Sequence, residues 1–215
     1  MLLLVSLSAS QAAVHVNPNG LGEVLLIPYY TTNNGLNTLV TVSNTTEKVK
    51  AVKIVLRGNQ YDWYEYSMNV YLAPYDTWSF GLVNRGNDAD VISNDLSCVP
   101  FFSSPLQLYD NLADPPPPDG FGYAEGTIEV YEMGELDPSY GYGEAVTFEN
   151  GQPIDCQQIV DNWDAITGEW ARNDNLVQIL PASGGLKAAV SLINVSNGVN
   201  YTYDAIALND FYPDD

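Results

Sequence analysis

Apolar and polar residues alternate along several segments of the chain, most regularly between positions 36 and 82. In residues 49–57 the apolar side chains recur at every second position, as Val52, Ile54 and Leu56. Side chains of a β-strand point alternately to its two faces, so this spacing predicts a strand with one buried face. The same reasoning predicts strands over residues 37–42, 64–72 and 77–83.

Polar turn residues separate these predicted strands. Ser, Asn and Thr fill residues 43–46, and Pro74 presets the backbone for a turn before the fourth strand. Antiparallel strands joined by short turns usually bury one face and leave the other in water. We therefore predict an all-β chain folded as an antiparallel β-sandwich, of immunoglobulin-like or jelly-roll-like type.

Residues 24–30 form a strand near the N-terminus that is apolar on both faces, which indicates a central or covered strand, and Pro28 interrupts it. Proline cannot donate a backbone hydrogen bond, which favours an edge strand or a β-bulge at this position. An apolar strand at a sheet edge invites pairing with another chain. Self-association through exchange or edge pairing of this strand is one expectation, and pairing within its own sandwich is the alternative.

The remaining sequence divides the sandwich into two parts. Residues 13–83 form the first part, and residues 84–122, rich in Asn, Asp and Pro, are predicted to be a long irregular insertion. Residues 123–215 form the second part, and we expect a longer protein that is truncated at this C-terminus. Within the second part we predict one short helix over residues 155–163, a Tyr- and Gly-rich loop over 134–143, and strands over 126–133, 144–148, 176–180, 186–195 and 201–208.

The chain is strongly acidic, with 7 Lys and Arg residues against 27 Asp and Glu residues and a formal net charge of -20. Nucleic acids and anionic lipids attract basic surfaces, so the composition argues against both as partners. No apolar segment approaches the roughly 20 residues that a transmembrane helix needs. We therefore expect no transmembrane segment.

The N-terminal residues 1–12 combine a short apolar run with small residues at Ser10 and Ala12. This pattern is typical of a secretory signal peptide cleaved before Ala13, and a buried first strand is the alternative. The two cysteines are Cys98 and Cys156, and an even number in an exported chain favours a disulfide. We expect a secreted protein, extracellular or at the outer cell surface, with the periplasm as the alternative.

Several segments resemble a group of uncharacterised exported proteins of Gram-negative bacteria. They are residues 13–18 (AVHVNP), 20–31 (GLGEVLLIPYYT), 44–46, 50–53, 126–134 and 203–205. The resemblance covers most of the chain, and the group includes longer members. It implies export and a surface location, and it carries no catalytic motif.

Aspartates cluster within the predicted insertion, at Asp88, Asp90 and Asp95. Calcium takes oxygen ligands from loops of this kind, so these residues are candidate calcium ligands. The segment lacks the Gly and Glu positions of an EF-hand loop, and an ordinary solvated loop is the alternative. No other cofactor is expected.

Catalytic motifs are absent from the sequence. A Ser-His-Asp triad would have to use His15, the only histidine. Glycan hydrolysis needs two carboxylates across a cleft, and Glu129 with Glu132 or Asp161 with Asp164 could supply them. Because an acidic chain meets this pattern by chance, a glycan hydrolase ranks third among the functions considered, and no catalytic residue is assigned.

An aromatic run between two predicted strands contains Tyr61 and Trp63, which are candidate ligands for a sugar. Aromatic residues on a strand more often pack in a core or against a neighbouring strand. The first expectation for function is an exported, non-catalytic structural or adhesive surface module that associates with itself or with other surface proteins. A carbohydrate-binding module that uses the exposed aromatics is the second.

Overall fold

The structure, a computed structural model, describes residues 13–59, 65–86, 88–108, 122–163, 168 and 179–212. Its strands are β1 (His15–Val16), β2 (Val24–Thr31), β3 (Asn37–Asn44), β4 (Val49–Gly58), β5 (Glu65–Leu72), β6 (Thr77–Arg85), β7 (Asp88–Ile92), β8 (Leu106–Gln107), β9 (Glu125–Leu136), β10 (Phe148–Glu149), β11 (Gln152–Pro153), β12 (Leu186–Asn194), β13 (Val199–Asp204) and β14 (Ile206–Asn209). Two α-helices, α1 (Gly141–Val146) and α2 (Cys156–Asn162), and a 3₁₀ turn (Asn33–Gly35) complete the described elements.

Two six-stranded antiparallel sheets pack face to face, which confirms the predicted β-sandwich. The first sheet has the order β1-β14-β2-β9-β4-β5, and the second has the order β13-β12-β3-β6-β7-β8. The predicted block between positions 36 and 82 spans both sheets, because β4 pairs with β5 in the first sheet while β3 pairs with β6 in the second. The predicted core positions are fully buried between the sheets, as Val52, Ile54, Leu56, Trp78 and Leu82.

Strand β2 lies inside the first sheet, between β14 and β9, so the central position indicated by its two apolar faces is confirmed and the edge position suggested by Pro28 is wrong. The alternative reading of Pro28 is confirmed, since the register of β2 against β9 shifts between Ile27 and Tyr30. The missing N–H of Pro28 therefore falls at a bulge, where no ladder bond is lost. The bulge also leaves both Pro28 and Tyr29 exposed, whereas Ile27 and Tyr30 are buried.

The segment 84–122 is not irregular throughout, because it contributes β7 and β8 to the second sheet. Ala89 and Val91 are fully buried, and they alternate with the acidic Asp88 and Asp90. Aspartate is rare in β-strands, so the composition of this segment favoured an irregular loop despite the short alternation. Residues 109–121, which include the run of prolines, lie outside the described residues.

Helix α2 confirms the predicted helix, and the side chain of Asp155 caps it by accepting a bond of 3.2 Å from the N–H of Gln158. Helix α1 corrects a second prediction, since part of residues 134–148 is helical where we expected a loop and a strand. Strand β9 continues past the expected end at residue 133 as far as Leu136, and a bulge at Gly134 makes this extension possible. A Cβ at Gly143 would collide with the carbonyl of Asp137, so this tight fold-back depends on glycine rather than on any periodic pattern.

The two helices cover one half of the outer face of the first sheet. They form a second apolar core with Ala51 and Tyr71, which are fully buried under Val146 and Ile159. The predicted disulfide between Cys98 and Cys156 is present, with the two Cα atoms 5.5 Å apart, and it ties α2 to the segment that follows β7. Among the described helices, none is long and apolar enough to cross a membrane.

Candidate functional site

The half of the outer face of the first sheet that the two described helices leave open carries a depression of about 500 Å³, which we call the Tyr29 depression. It is bounded by the ends of three neighbouring strands, β2, β4 and β9. Its lining residues are Pro28, Tyr29, Arg57, Gly58, Asn59, Gly126 and Thr127. The volume falls within the range of small-molecule sites in proteins.

Local sequence explains why the chain forms a depression here. The bulge at Pro28 turns the ring of Tyr29 outward, and 45% of this residue is exposed. Gly58 and Gly126 lie directly opposite each other in the β4–β9 ladder, and both contribute only backbone to the lining. A Cβ at Gly126 would collide with the carbonyl oxygen of Arg57, so this close approach of two strands requires glycine.

Glu125 fixes one side of the depression. Its two carboxylate oxygens accept separate hydrogen bonds, at 3.1 Å from the hydroxyl of Tyr29 and at 2.6 Å from the side-chain amide of Asn59. Residues from β2, β9 and the end of β4 are thereby held in one arrangement. The tyrosine ring is oriented before any ligand arrives, which reduces the entropy lost on binding.

Arg57 fixes the other side. Its guanidinium donates to Glu65 at 2.8 Å and to Glu129 at 3.2 Å, and Glu129 also accepts from the hydroxyl of Tyr131 at 2.8 Å. The hydrogen bond that Arg57 donates to Glu129 is the main cause that raises the pKa of the Arg57 guanidinium. Burial alone would raise the pKa of Glu129, but the bonds from Arg57 and Tyr131 outweigh burial and lower it.

The chemistry of this lining suits the binding of a polar, uncharged molecule. An exposed aromatic ring lies beside an amide, a guanidinium and carboxylates, which together offer hydrogen-bond donors and acceptors. Three carboxylates, Glu65, Glu125 and Glu129, surround the single cation Arg57, so the local charge disfavours anions. Among the described residues, those that line the depression include no serine, cysteine or histidine that could act as a nucleophile or base.

A second polar cluster lies on the core-facing side of β4. The ammonium of Lys50, whose side chain is fully buried, donates to Glu132 at 2.7 Å, to Glu135 at 2.6 Å and to the hydroxyl of Ser183 at 3.0 Å. Glu132 also accepts from the backbone N–H groups of Ser183 and Gly184, at 3.1 Å and 2.8 Å. Burial raises the pKa of Glu132, whereas bonds from Lys50 and Ser183 outweigh burial and lower the pKa of Glu135.

The Lys50 cluster brings a serine and a lysine together, but its geometry is structural rather than catalytic. A lysine ammonium has three N–H donors, and all three are engaged in Lys50. The hydroxyl of Ser183 contacts Glu135 as well as Lys50. With all three donors of Lys50 engaged, the cluster is a paired buried charge that joins β4, β9 and the segment before β12.

Tyr61 and Trp63, which were predicted to bind a sugar, lie outside the described residues. They fall in the interval between Asn59, which lines the Tyr29 depression, and Glu65, which binds Arg57. The structure therefore leaves their part in binding as a prediction.

The predicted calcium ligands take separate partners. An oxygen of Asp88 lies 3.5 Å from the backbone N–H of Tyr123, and Asp90 pairs with Arg85 at 3.5 Å. Asp95 accepts from the N–H and hydroxyl of Ser97, at 3.0 Å and 2.8 Å. Among the described residues no group of three or more His, Cys, Asp or Glu side chains is arranged to hold a metal ion.

The carboxylate pair suggested for glycan hydrolysis is separated by the first sheet. Glu129 lies on the outer face with Arg57, whereas Glu132 is fully buried with Lys50 on the core side. Asp164, of the other pair, lies outside the described residues. His15 lies in the edge strand β1, where its side chain is about half exposed and 3.1 Å from Asp210.

Sequence reasoning missed Tyr29, Arg57, Asn59 and Glu125 as members of one site. Tyr29 and Glu125 are 96 positions apart, and only the pairing of β2 with β9 brings them together. Pro28 was the one local signal, since it indicated an irregularity in the strand next to Tyr29.

No family model, curated protein or solved structure matches the chain. The resemblance to exported proteins of Gram-negative bacteria therefore stays a prediction.

Proposed function

We propose that the protein is an exported, non-catalytic surface module that adheres to a glycan through the Tyr29 depression. The observation that carries this proposal is a partly exposed tyrosine ring held beside Asn59 and Arg57 by carboxylates on a rigid sheet face. Sites built on strands hold their side chains more accurately than sites built on loops.

A glycan fits this chemistry for two reasons. The apolar face of a tyrosine ring packs against the C–H face of a sugar, while the phenol hydroxyl keeps a polar contact. Hydroxyl groups both donate and accept, so they match the amide of Asn59 and the carboxylate of Glu125, which lie 2.6 Å apart at the rim. The surplus of local carboxylates favours a neutral sugar over a sulfated or phosphorylated one.

A non-catalytic role is supported by the state of the charged groups. The acidic side chains of the depression serve as acceptors for Tyr29, Asn59, Arg57 and Tyr131. The buried Lys50 cluster is saturated in the same way. Hydrolysis would need one carboxylate free to donate a proton and a second across the cleft, and neither cluster has this arrangement.

Exchange of β2 between copies receives no support from its position. Both edges of β2 are paired within its own sheet, to β14 through Leu25 and to β9 through Ile27. Release of this strand would break two ladders and expose side chains that are fully buried. Adhesion through the outer face needs no such rearrangement.

The test uses a glycan array followed by calorimetry on the protein beginning at Ala13. We expect at least one neutral glycan to bind, and Tyr29→Ala to weaken that binding by about tenfold or more, or roughly 1.4 kcal/mol. Tyr29→Phe keeps the ring and loses only the bond to Glu125, so its affinity should lie between those of the unmodified protein and Tyr29→Ala.

Tyr140→Ala is the matched control, because Tyr140 is 67% exposed and lies outside the depression. Its affinity should equal that of the unmodified protein. Equal affinity in Tyr29→Ala and Tyr140→Ala, or an array without any bound glycan, would contradict the proposal.

A further inference from the structure

The two sheets have four edge strands among the described residues, β1, β5, β8 and β13, and the first three are short or partly covered. Strands β1 and β8 have 2 residues each. Strand β5 is covered at one end, where the N–H of Tyr71 donates to the carbonyl of Cys98 at 2.8 Å. Short or covered edges are the usual means by which proteins prevent edge-to-edge association.

Strand β13 is the exception, since it spans 6 residues and ends the second sheet. Its sequence, VNYTYD, contains no proline, lysine or glycine, and its ladder with β12 shows no register shift. Tyr201 is 62% exposed on this strand. A regular edge that no described residue covers is a template for another strand.

The hydrogen-bond pattern between β12 and β13 shows which backbone N–H and C=O groups face the open edge of β13. The N–H of Ala205 donates to the carbonyl of Ala188 at 3.0 Å, in the same register as the β12–β13 ladder. Residues of an antiparallel strand point their N–H and C=O groups alternately to the two sides. The backbone groups of Asn200, Thr202 and Asp204 therefore point away from β12, toward the open edge.

We propose that β13 pairs antiparallel with β13 of a second copy of this chain, around a two-fold axis at Thr202. This register places Asn200 opposite Asp204 of the second copy, and Thr202 opposite its own counterpart. It is the two-fold register that pairs all three outward-pointing residues. The second sheets of the two copies then form one continuous twelve-stranded sheet.

Side-chain chemistry selects a second copy over an arbitrary strand. The amide of Asn200 can donate to the carboxylate of Asp204, so neither carboxylate meets another. Thr–Thr and aromatic–aromatic cross-strand pairs are favourable, and this register also sets Tyr201 opposite Tyr203. An isologous contact of this kind closes on itself and gives a dimer rather than a fibre.

The charge of the whole chain makes the proposal testable through salt. With a formal net charge of -20 on each copy, repulsion opposes the dimer at low ionic strength. Sedimentation equilibrium over a range of protein concentrations should find a dimer whose dissociation constant decreases as sodium chloride is added. A monomer at every concentration and salt would overturn the proposal.

Two sets of variants test the register. Thr202→Pro removes an outward N–H and no bond to β12, so it should give a folded monomer. Asn200→Asp should weaken the dimer by about tenfold or more, because it places like charges opposite each other at two symmetric contacts. Adding Asp204→Asn to Asn200→Asp should restore the affinity.

Asn200 and Asp204 are both exposed, so this charge exchange keeps the proposal testable if Thr202→Pro does not fold. A dimer that survives Thr202→Pro and Asn200→Asp unchanged would place the contact elsewhere on the molecule and overturn the proposal. Failure of the double variant to recover would overturn the assigned register.

Discussion

Ile54 and Lys53 are neighbours in β4 whose side chains lie on opposite faces of the first sheet. Ile54 is fully buried between the sheets, whereas Lys53 is half-buried on the outer face. Ile54→Ala should lower the free energy of unfolding by about 2 to 4 kcal/mol, through lost burial and a residual cavity. Lys53→Ala should change it by no more than about 0.5 kcal/mol. Urea unfolding measures both, and equal losses would contradict the assigned register.

At the residue scale, alternation was sufficient to predict the core positions but not the buried charges. Lys50 has the same parity as Val52 and Ile54, and it is as deeply buried as they are. A lysine at such a position is stable only if anions meet it, and its partner Glu132 lies 82 positions away. Local spacing cannot report a pair of that separation. The same limit applies to the Tyr29 depression, whose rim bond also joins distant strands.

Elements with a strong period were predictable, and those that depend on tertiary contacts were not. Strands β3 to β6 follow clear alternation, and helix α2 has a capping aspartate. The position of β2 inside a sheet and the helical state of α1 depend on which strands and loops pack against them, as Gly143 illustrates. The disulfide was predictable because a chain with two cysteines offers only one pairing.

The disulfide between Cys98 and Cys156 holds α2 over the outer face of the first sheet. Its removal tests how much this attachment of a whole helix contributes to stability. The cysteines are 58 positions apart, and closure of a loop of that length is worth about 4 kcal/mol in the chain-entropy model. The double variant Cys98→Ala with Cys156→Ala should lose roughly 2 to 4 kcal/mol in urea unfolding. Hydrogen exchange should increase first in α2 and around Tyr71, which share the second apolar core.

The main core between the sheets should keep its protection in that variant, since none of its residues belongs to the second core. The unmodified protein, denatured without reductant, should contain no titratable thiol. Free thiols under those conditions, or uniform exchange across both cores in the variant, would contradict this division of the molecule.

The whole molecule carries a formal net charge of -20 at pH 7, so repulsion among its carboxylates opposes folding at neutral pH. Individual carboxyl groups also make stability depend on pH, some in one direction and some in the other. Burial raises the pKa of Glu132 and of Asp76 above their usual 4.5 and 3.8. The pKa values of Glu129 and Glu135 are lowered below 4.5, because bonds from Arg57, Lys50 and their neighbours outweigh burial.

These directions predict that stability is greatest at mildly acidic pH. Glu132 and Asp76 bind a proton more tightly in the folded state than in the unfolded state. Their contribution to the free energy of unfolding is therefore complete below the usual pKa values of 4.5 and 3.8, and it is lost as the pH rises through their raised folded-state pKa values. Glu129 and Glu135 contribute above 4.5, and their contribution is lost as pH falls through their lowered pKa values. The free energy of unfolding should therefore rise as the pH falls from 7 into the mildly acidic range, and it should fall again below the lowered pKa values of Glu129 and Glu135.

Salt provides the control, because screening acts on repulsion between surface charges and little on buried pairs. At pH 7, sodium chloride should increase the free energy of unfolding measured with urea. Near the isoelectric point of about 4.1 the same addition should have little effect, since the net charge that it screens is absent. A stability maximum at or above pH 7, with no response to salt there, would show that charge repulsion does not govern the stability of this sandwich.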